Sequence, residues 1–186
     1  MRERAIAVVI PVRNAESGIA ATIAAVAIQL GATGSQCELV VVDDASTDQT
    51  ATVAATALSA VDMNGQLVRR DLRGGPNASR NTGVLATSAS VVVLLDGDDE
   101  PLPGCISALA GGVVDDLVIA GGSYLIPDNR GRQSVVPASS RTAFGYRYAV
   151  GGACAMSRAL FTRVGGFDEN IARGGSELEF SITAQV

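Results

Sequence analysis

The acidic cluster Asp96–Asp99 is the part of the chain best suited to chemistry, with three aspartates around Gly97. It follows the most apolar run of the sequence, Val91–Leu95. Carboxylates this close repel one another unless a cation neutralises them, and Mg²⁺ or Mn²⁺ is commonly shared between carboxylates and substrate phosphates. The cluster therefore suggests a divalent-metal site. On its own, a solvated acidic turn is the plainer interpretation.

A second acidic cluster, Asp43–Asp48, follows the apolar run Glu38–Val42. An ordinary strand-to-helix turn, in which Ser46 or Thr47 caps the next helix, explains most of its polar residues. That turn does not explain two successive carboxylates directly after an apolar strand. The alternative is that one of these aspartates accepts a hydrogen bond from a base or a ribose.

Two further groups of residues have both a functional and a plain interpretation. Arg80 is predicted on the first turns of a helix, where it could hold a diphosphate or simply face solvent. Glu177 and Glu179 are two residues apart, about 200° around a helix, so they cannot both point into one site. One of them could be a general base, and two surface glutamates are the plainer interpretation.

The first half of the chain alternates strand and helix patterns, which predicts a parallel sheet with right-handed crossovers. Asn14 is expected to cap the first helix. Ligands of such sheets bind beyond the carboxyl ends of the strands, so the polar clusters should meet at one edge. The predicted elements are strand Ala5–Val12, helix Ala15–Leu30, strand Glu38–Val42, helix Thr50–Leu58, strand Gln66–Arg70, helix Ala78–Ala86 and strand Val91–Leu95.

The second half of the chain is less regular, and we predict fewer elements in it. The segment before the final helix is rich in glycine, and no linker or internal repeat divides the chain. The predictions are a strand within Leu117–Ile126, a loop with room for one strand over Arg132–Arg147, a segment packed on the sheet over Val150–Arg158, a helix over Ala159–Val164 and a last helix after Gly174–Phe180.

Composition excludes several chemistries. All 14 basic residues are Arg, and the absence of Lys and His excludes Schiff-base lysines, P-loop lysines, Ser-His-Asp catalysis and His-ligated zinc. Phosphatases of the haloacid type place Asp-x-Asp after a strand but also need a lysine. A net charge of −5 argues against a nucleic-acid or anionic-lipid partner.

Cysteine usage and hydropathy indicate a cytoplasmic protein. The three cysteines are far apart and lack CxxC spacing, as expected of reduced core residues. The N-terminus does not resemble a signal peptide, and the longest nearly apolar stretch, Ile19–Ile28, is too short to span a bilayer.

Four segments, taken in order, resemble the family 2 glycosyltransferases, which have the GT-A fold. This family inverts the anomeric centre and commonly uses a UDP-sugar, less often a GDP- or dTDP-sugar. The resemblance implies a mostly parallel Rossmann-like α/β sheet flanked by helices, with an irregular C-terminal half. The segments are AVVIPVRNAESGIAATIAAV, ELVVVDDASTDQT, GGPNASRNTGVLATSASVVVLLDGDDEPLP and GGACAMSRALFTRVGGFDEN.

The resemblance also implies roles for individual residues. The nucleotide base of the donor would be contacted by the Asp43-Asp44 pair, chiefly by Asp44, and the diphosphate by Arg80. The family's catalytic general base is usually the aspartate of a Glu-Asp pair. Here the pair reads Ser176-Glu177, so the role of general base passes to Glu177. The donor-binding set is Pro11, Arg13, Asp43, Asp44, Arg80, Asp96 and Gly97, and the ligands of Mn²⁺ or Mg²⁺ are Asp98 and Asp99.

By the same resemblance, residues 1–186 form one GT-A catalytic domain. Residues 1 to about 100 would be the nucleotide-sugar half, and residues from about 101 to 186 an acceptor half that we expect to be truncated. The expected partners are a nucleoside-diphosphate sugar and an unidentified hydroxyl acceptor, either a glycan, a lipid or a small molecule. A homodimer is an open alternative.

Two competing functions remain. Ser176-Glu177 and the short C-terminal half favour a catalytically idle GT-A domain that binds a nucleotide or a protein partner. A nucleotidyltransferase that makes sugar nucleotides ranks third. Such enzymes usually have a glycine-rich first loop with basic residues, which Pro11–Asn14 lacks.

Overall fold

The structure is a computed structural model that describes residues 4–33, 36–115, 119–127, 133–137, 141–143, 146–148, 152–171, 180 and 183–184. Its first half contains β1 (Ile6–Val12), α1 (Ile19–Gly31), β2 (Cys37–Asp43), α2 (Thr50–Ala60), β3 (Asn64–Arg69), α3 (Gly75–Leu85), β4 (Val91–Leu95) and α4 (Cys105–Gly112). Its second half contains β5 (Ile119–Gly121), β6 (Ser123–Pro127), β7 (Gln133–Pro137), β8 (Arg141–Ala143), β9 (Tyr146–Tyr148), β10 (Ala153–Ser157) and α5 (Arg158–Val164).

A six-stranded sheet in the order β3-β2-β1-β4-β10-β5 organises these elements. The pairs β3–β2, β2–β1 and β1–β4 are parallel, whereas β10 runs antiparallel to both β4 and β5. Two antiparallel pairs, β6–β7 and β8–β9, lie outside this sheet. The predicted α/β class with a mostly parallel sheet is therefore confirmed.

Apolar side chains cover the sheet on both faces, as expected for parallel strands between helices. Alternate residues of β1 divide between the faces. Val8 and Ile10 pack with α1, α2 and α4, whereas Val9 belongs to the cluster that contains residues of α3 and α5. No helix in the described part of the chain is long and apolar enough to cross a membrane.

The predicted helix caps were wrong. The first helix begins at Ile19, after a turn, and Asn14 adopts a positive φ of 50°. Its Oδ1 accepts a hydrogen bond from Thr47 N at 3.0 Å. Thr50 begins the second helix, and its N–H donates to Asp48 Oδ1 at 3.0 Å, so neither Ser46 nor Thr47 is the cap. Asn14 therefore bridges the two loops instead of capping α1, and at α2 Asp48 takes the role expected of Ser46 or Thr47.

The second half holds more strands than predicted. The Val150–Arg158 segment provides β10, which lies within the sheet, and Arg132–Arg147 contains β7, β8 and the first two residues of β9. The α4 helix was missed altogether. These elements are short, and β10 consists largely of small residues, so their conformation depends on pairing and packing more than on local propensity.

Candidate functional site

The two acidic clusters lie on either side of the carboxyl end of β1. Asp44 N donates to Val12 O at 2.9 Å on one side. On the other side, a Cβ added at Gly97 would lie 2.4 Å from Val12 Cγ1 and 3.2 Å from Pro11 O. Both clusters therefore meet at one edge of the sheet, and Arg13, which follows Val12, is exposed there.

The Gly97 turn is held by backbone and side-chain hydrogen bonds from three directions. Asp96 N donates to Gly152 O at 3.0 Å, and Asp99 N donates to Asp96 O at 3.1 Å. Thr22 of α1 donates from Oγ1 to Gly97 O at 3.2 Å. The turn therefore has one fixed position against the end of β1.

Replacing Gly97 with Ala is expected to destabilise the protein by about 1–3 kcal/mol, because the new methyl group would overlap the stiff Val12 side chain. Thermal unfolding measures the change. Gly18→Ala is the matched control, since a Cβ at this loop glycine meets nothing within 4 Å. Equal melting temperatures for the two variants would contradict the close approach of the turn to β1.

The carboxylates of the Gly97 turn repel one another. Burial, followed by the charge of Asp96, raises the pKa of Asp99 to about 6, and the charge of the exposed Asp98 adds to the effect. No group of three or more Asp, Glu, Cys or His side chains within the described ranges could hold a metal ion alone. Two carboxylates supplemented by phosphate oxygens still suit Mg²⁺ or Mn²⁺. The donor set of Asp98 and Asp99 therefore fits a cation that arrives with a phosphorylated substrate.

Arg80 connects α3 to this turn. Its side chain is only 5% exposed, and its Nη2 lies 3.0 Å from Asp96 Oδ1. Asp96 is 40% exposed, so one partner of the ion pair faces solvent. The Arg80 Cζ also lies 5.8 Å from the centre of the Phe167 ring, within cation–π distance. The structure thus brings the predicted diphosphate residue and the predicted metal-binding turn together.

Asp44 has a structural role that the sequence did not predict. Its Oδ1 accepts from Gly74 N and its Oδ2 accepts from Gly75 N, both at 2.8 Å. Arg70 Nε lies 3.1 Å from the same Oδ1. Asp44 therefore caps the start of α3 from the turn after β2. An ionised carboxylate has about four lone-pair sites, so these contacts leave acceptor capacity for a ligand.

Asp43 is buried beside the same edge. Its Oδ1 accepts from Ser46 N at 3.1 Å and stabilises the turn after β2. Its Oδ2 lies 3.5 Å from Arg69 Nε and has no hydrogen-bond partner among the described residues. The two aspartates thus point toward different partners, although they are adjacent in sequence.

Asn77 and Asn81 are functional candidates that the sequence reasoning missed. Both are on α3 near Arg80, and their side-chain amides bind backbone atoms of residues 167–171. The available signal was the spacing, since three polar side chains at i, i+3 and i+4 share one helix face. The predicted base, Glu177, lies outside the described residues, as does Ser176.

Comparison with known proteins gives one family and several relatives. Residues 7–163 match the family described as Glycosyl transferase family 2. One relative is the GalNAc(5)-diNAcBac-PP-undecaprenol β-1,3-glucosyltransferase of Campylobacter jejuni. It is 35% identical over 72 residues, which are 39% of this chain and 23% of that protein. Glycosyltransferase AglE of Haloferax volcanii is 34% identical over 114 residues, or 59% of this chain and 37% of that protein.

Solved structures share the fold. The mannosyltransferase PcManGT of Pyrobaculum calidifontis, in complex with GDP-Man and Mn²⁺, superposes with a TM-score of 0.71 at 22% identity, over 96% of this chain and 50% of that one. S. aureus TarS in complex with UDP-GlcNAc gives 0.71 at 21% identity, over 96% and 52%. The chain therefore spans about half of these structures and a smaller part of the curated relatives.

Proposed function

Because this chain belongs to glycosyltransferase family 2, we propose that it transfers a sugar from a nucleoside-diphosphate sugar to a hydroxyl group of an acceptor. The observation that carries this proposal is the Arg80–Asp96 pair, whose atoms are 3.0 Å apart at the carboxyl edge of the sheet. A buried guanidinium paired with a half-exposed carboxylate is suited to a diphosphate, since Arg recognises phosphate oxygens with several donors at once.

The donor we propose is a UDP-sugar. Its nucleoside would lie against Pro11, Arg13 and the Asp43-Asp44 pair, with Asp44 as the acceptor for the base. Its diphosphate would bind Arg80, and its ribose or sugar would approach Asp96 and Gly97. TarS in complex with UDP-GlcNAc supports UDP, whereas the mannosyltransferase in complex with GDP-Man makes GDP the first alternative.

We further propose that Asp98 and Asp99 hold Mn²⁺ or Mg²⁺. When bound, such an ion stabilises negative charge on the leaving diphosphate. The exposure of Asp98 and the raised pKa of Asp99 support a cation at this turn, because positive charge relieves their mutual repulsion. Mn²⁺ in the PcManGT complex supports the same assignment.

The chain's own residues would assist the transfer in two ways. Arg80 would stabilise the diphosphate as negative charge develops on it. Glu177 is proposed as the general base that takes the proton from the acceptor hydroxyl as this attacks from the opposite face of the sugar, which inverts the anomeric centre. The acceptor would be a glycan, a lipid or a small molecule.

Calorimetric titration with UDP, with and without Mn²⁺, tests the donor site. We expect binding to be stronger with Mn²⁺, and Asp98→Ala to weaken it at least about tenfold, or about 1.4 kcal/mol. Asp62→Ala is the control, because this exposed aspartate precedes β3 at the opposite edge of the sheet. It should bind UDP like the wild-type protein.

Three results would contradict parts of the proposal. If the wild-type protein bound none of UDP, GDP and dTDP in Mn²⁺, there would be no donor site of the proposed kind. Equal UDP affinity with and without Mn²⁺ would exclude the proposed metal dependence. Nucleotide binding without slow hydrolysis of any matching nucleotide sugar would favour the catalytically idle domain, since hydrolysis needs no acceptor.

A further inference from the structure

Two asparagines on α3 hold the backbone of residues 166–171, which we call the Phe167 loop. Asn81 Nδ2 donates to Phe167 O at 2.9 Å, and Asn81 Oδ1 accepts from Phe167 N at 2.9 Å. One side-chain amide thus pairs with both backbone polar groups of Phe167. This arrangement also fixes the orientation of the amide, because its oxygen must face the N–H and its nitrogen the carbonyl.

Asn77 holds the same loop farther along. Its Nδ2 donates to Asp168 O at 2.7 Å and to Ile171 O at 3.2 Å, and its side chain is buried. At the other end of the Phe167 loop, Gly166 permits the backbone to approach Asn81 closely. It has a φ of +85°, and a Cβ there would lie 2.9 Å from Asn81 Oδ1. The loop is therefore held at both ends by α3.

The loop in turn places an aromatic ring against Arg80. Phe167 is buried, stacks on Phe180 with ring centres 4.5 Å apart, and faces the Arg80 guanidinium. A long arginine side chain loses considerable rotamer freedom when it is fixed, and a rigid aromatic face reduces the alternatives it can adopt. The guanidinium also donates from Nη2 to Asp96 Oδ1 on the acidic turn at 3.0 Å, and from Nη1 to Asn77 Oδ1 at 3.5 Å.

We propose that Asn77 and Asn81 are positioning residues for Arg80, because they fix the Phe167 ring that directs the guanidinium toward Asp96 and the donor diphosphate. This inference rests on the proposed function, in which Arg80 binds the diphosphate. The asparagines themselves need not touch the donor. Their effect on donor binding should therefore pass entirely through Arg80.

A double-mutant cycle measured by titration with UDP in Mn²⁺ tests this dependence. We expect Arg80→Ala to weaken UDP binding about tenfold or more and Asn81→Ala about three- to tenfold. The double variant should bind UDP no more weakly than Arg80→Ala alone. Gln66→Ala is the control for a general loosening of α3, since Gln66 Nε2 donates to Ala86 O at 3.0 Å, at the other end of the helix. It should leave UDP affinity unchanged.

The outcomes separate this inference from the function on which it rests. Losses that multiply in the double variant would overturn the positioning role and leave the donor site intact. A lower melting temperature for Asn81→Ala with unchanged UDP affinity would also overturn it, since the asparagine would then serve stability alone. If the wild-type protein binds none of UDP, GDP and dTDP, the proposed function fails and the inference is overturned with it.

Discussion

Replacing Asp44 with Ala is expected to lower the free energy of unfolding by about 3 kcal/mol, which urea denaturation would measure. The substitution removes the acceptor of two backbone N–H groups, those of Gly74 and Gly75. It also leaves Arg70 without its carboxylate partner, although the Arg70 side chain is only 22% exposed. Unsatisfied donors and an unpaired charge at a mostly buried position each cost free energy.

The physical reason for so large an effect is the way α3 begins. Gly74, just before α3, and Gly75, its first residue, have no side chain to cap the helix, so Asp44 supplies the cap from the turn after β2. A negative charge at this end also interacts favourably with the helix dipole. Arg70 strengthens the connection, because its Nη1 donates to Ala78 O at 3.1 Å and to Thr82 Oγ1 at 2.7 Å.

Asp71→Ala is the matched control for this prediction. Asp71 lies just after β3, as Asp44 lies just after β2, but the Asp71 side chain is exposed. Its loss should therefore change the free energy of unfolding by less than about 0.5 kcal/mol. A loss below about 1 kcal/mol for Asp44→Ala would contradict the capping role. In that case the contacts with Gly74 and Gly75 would contribute little to the stability of α3.

The sequence predicts the parts of this fold in which local pattern and tertiary context agree. Val91–Leu95 was predicted with its observed bounds, because a run of only five apolar residues before an acidic turn is the length of a buried strand and too short for a helix. The meeting of both acidic clusters at one edge followed from the parallel sheet alone. The topology of the sheet was therefore enough to predict that the two acidic clusters lie together, without knowledge of individual contacts.

Features that depend on partners distant in sequence could not be predicted in this way. The residues of β10 are mostly small, and their strand conformation is stabilised by pairing with β4 and β5. Asn14 was expected to cap a helix but instead bonds to a loop 33 residues away. Asp44 was assigned to a ligand, and its cap on α3, 30 residues away, became visible only in the structure.

Replacing Gly83 with Ala should also cost about 3 kcal/mol, for a different reason. This glycine lies where α3 packs on the sheet, and a Cβ there would be 2.2 Å from Val9 Cγ1 and 3.0 Å from Val42 Cγ2. Both valines are fully buried, and β-branched side chains have few alternative rotamers. The overlap should outweigh the gain of about 1 kcal/mol in helix propensity that Ala normally brings.

A thermal unfolding measurement should show the melting temperature of Gly83→Ala lowered by about 6–12 °C, since about 2–4 °C per kcal/mol is typical of a chain of this size. Gly111→Ala is the control within α4, where a Cβ meets nothing within 4 Å and the melting temperature should stay equal or rise slightly. A melting temperature of Gly83→Ala within about 1 °C of the wild-type value would contradict the packing of α3 on β1. If α3 moves away from the sheet instead, Arg80 moves with it, so the UDP affinity of the folded variant should fall as well.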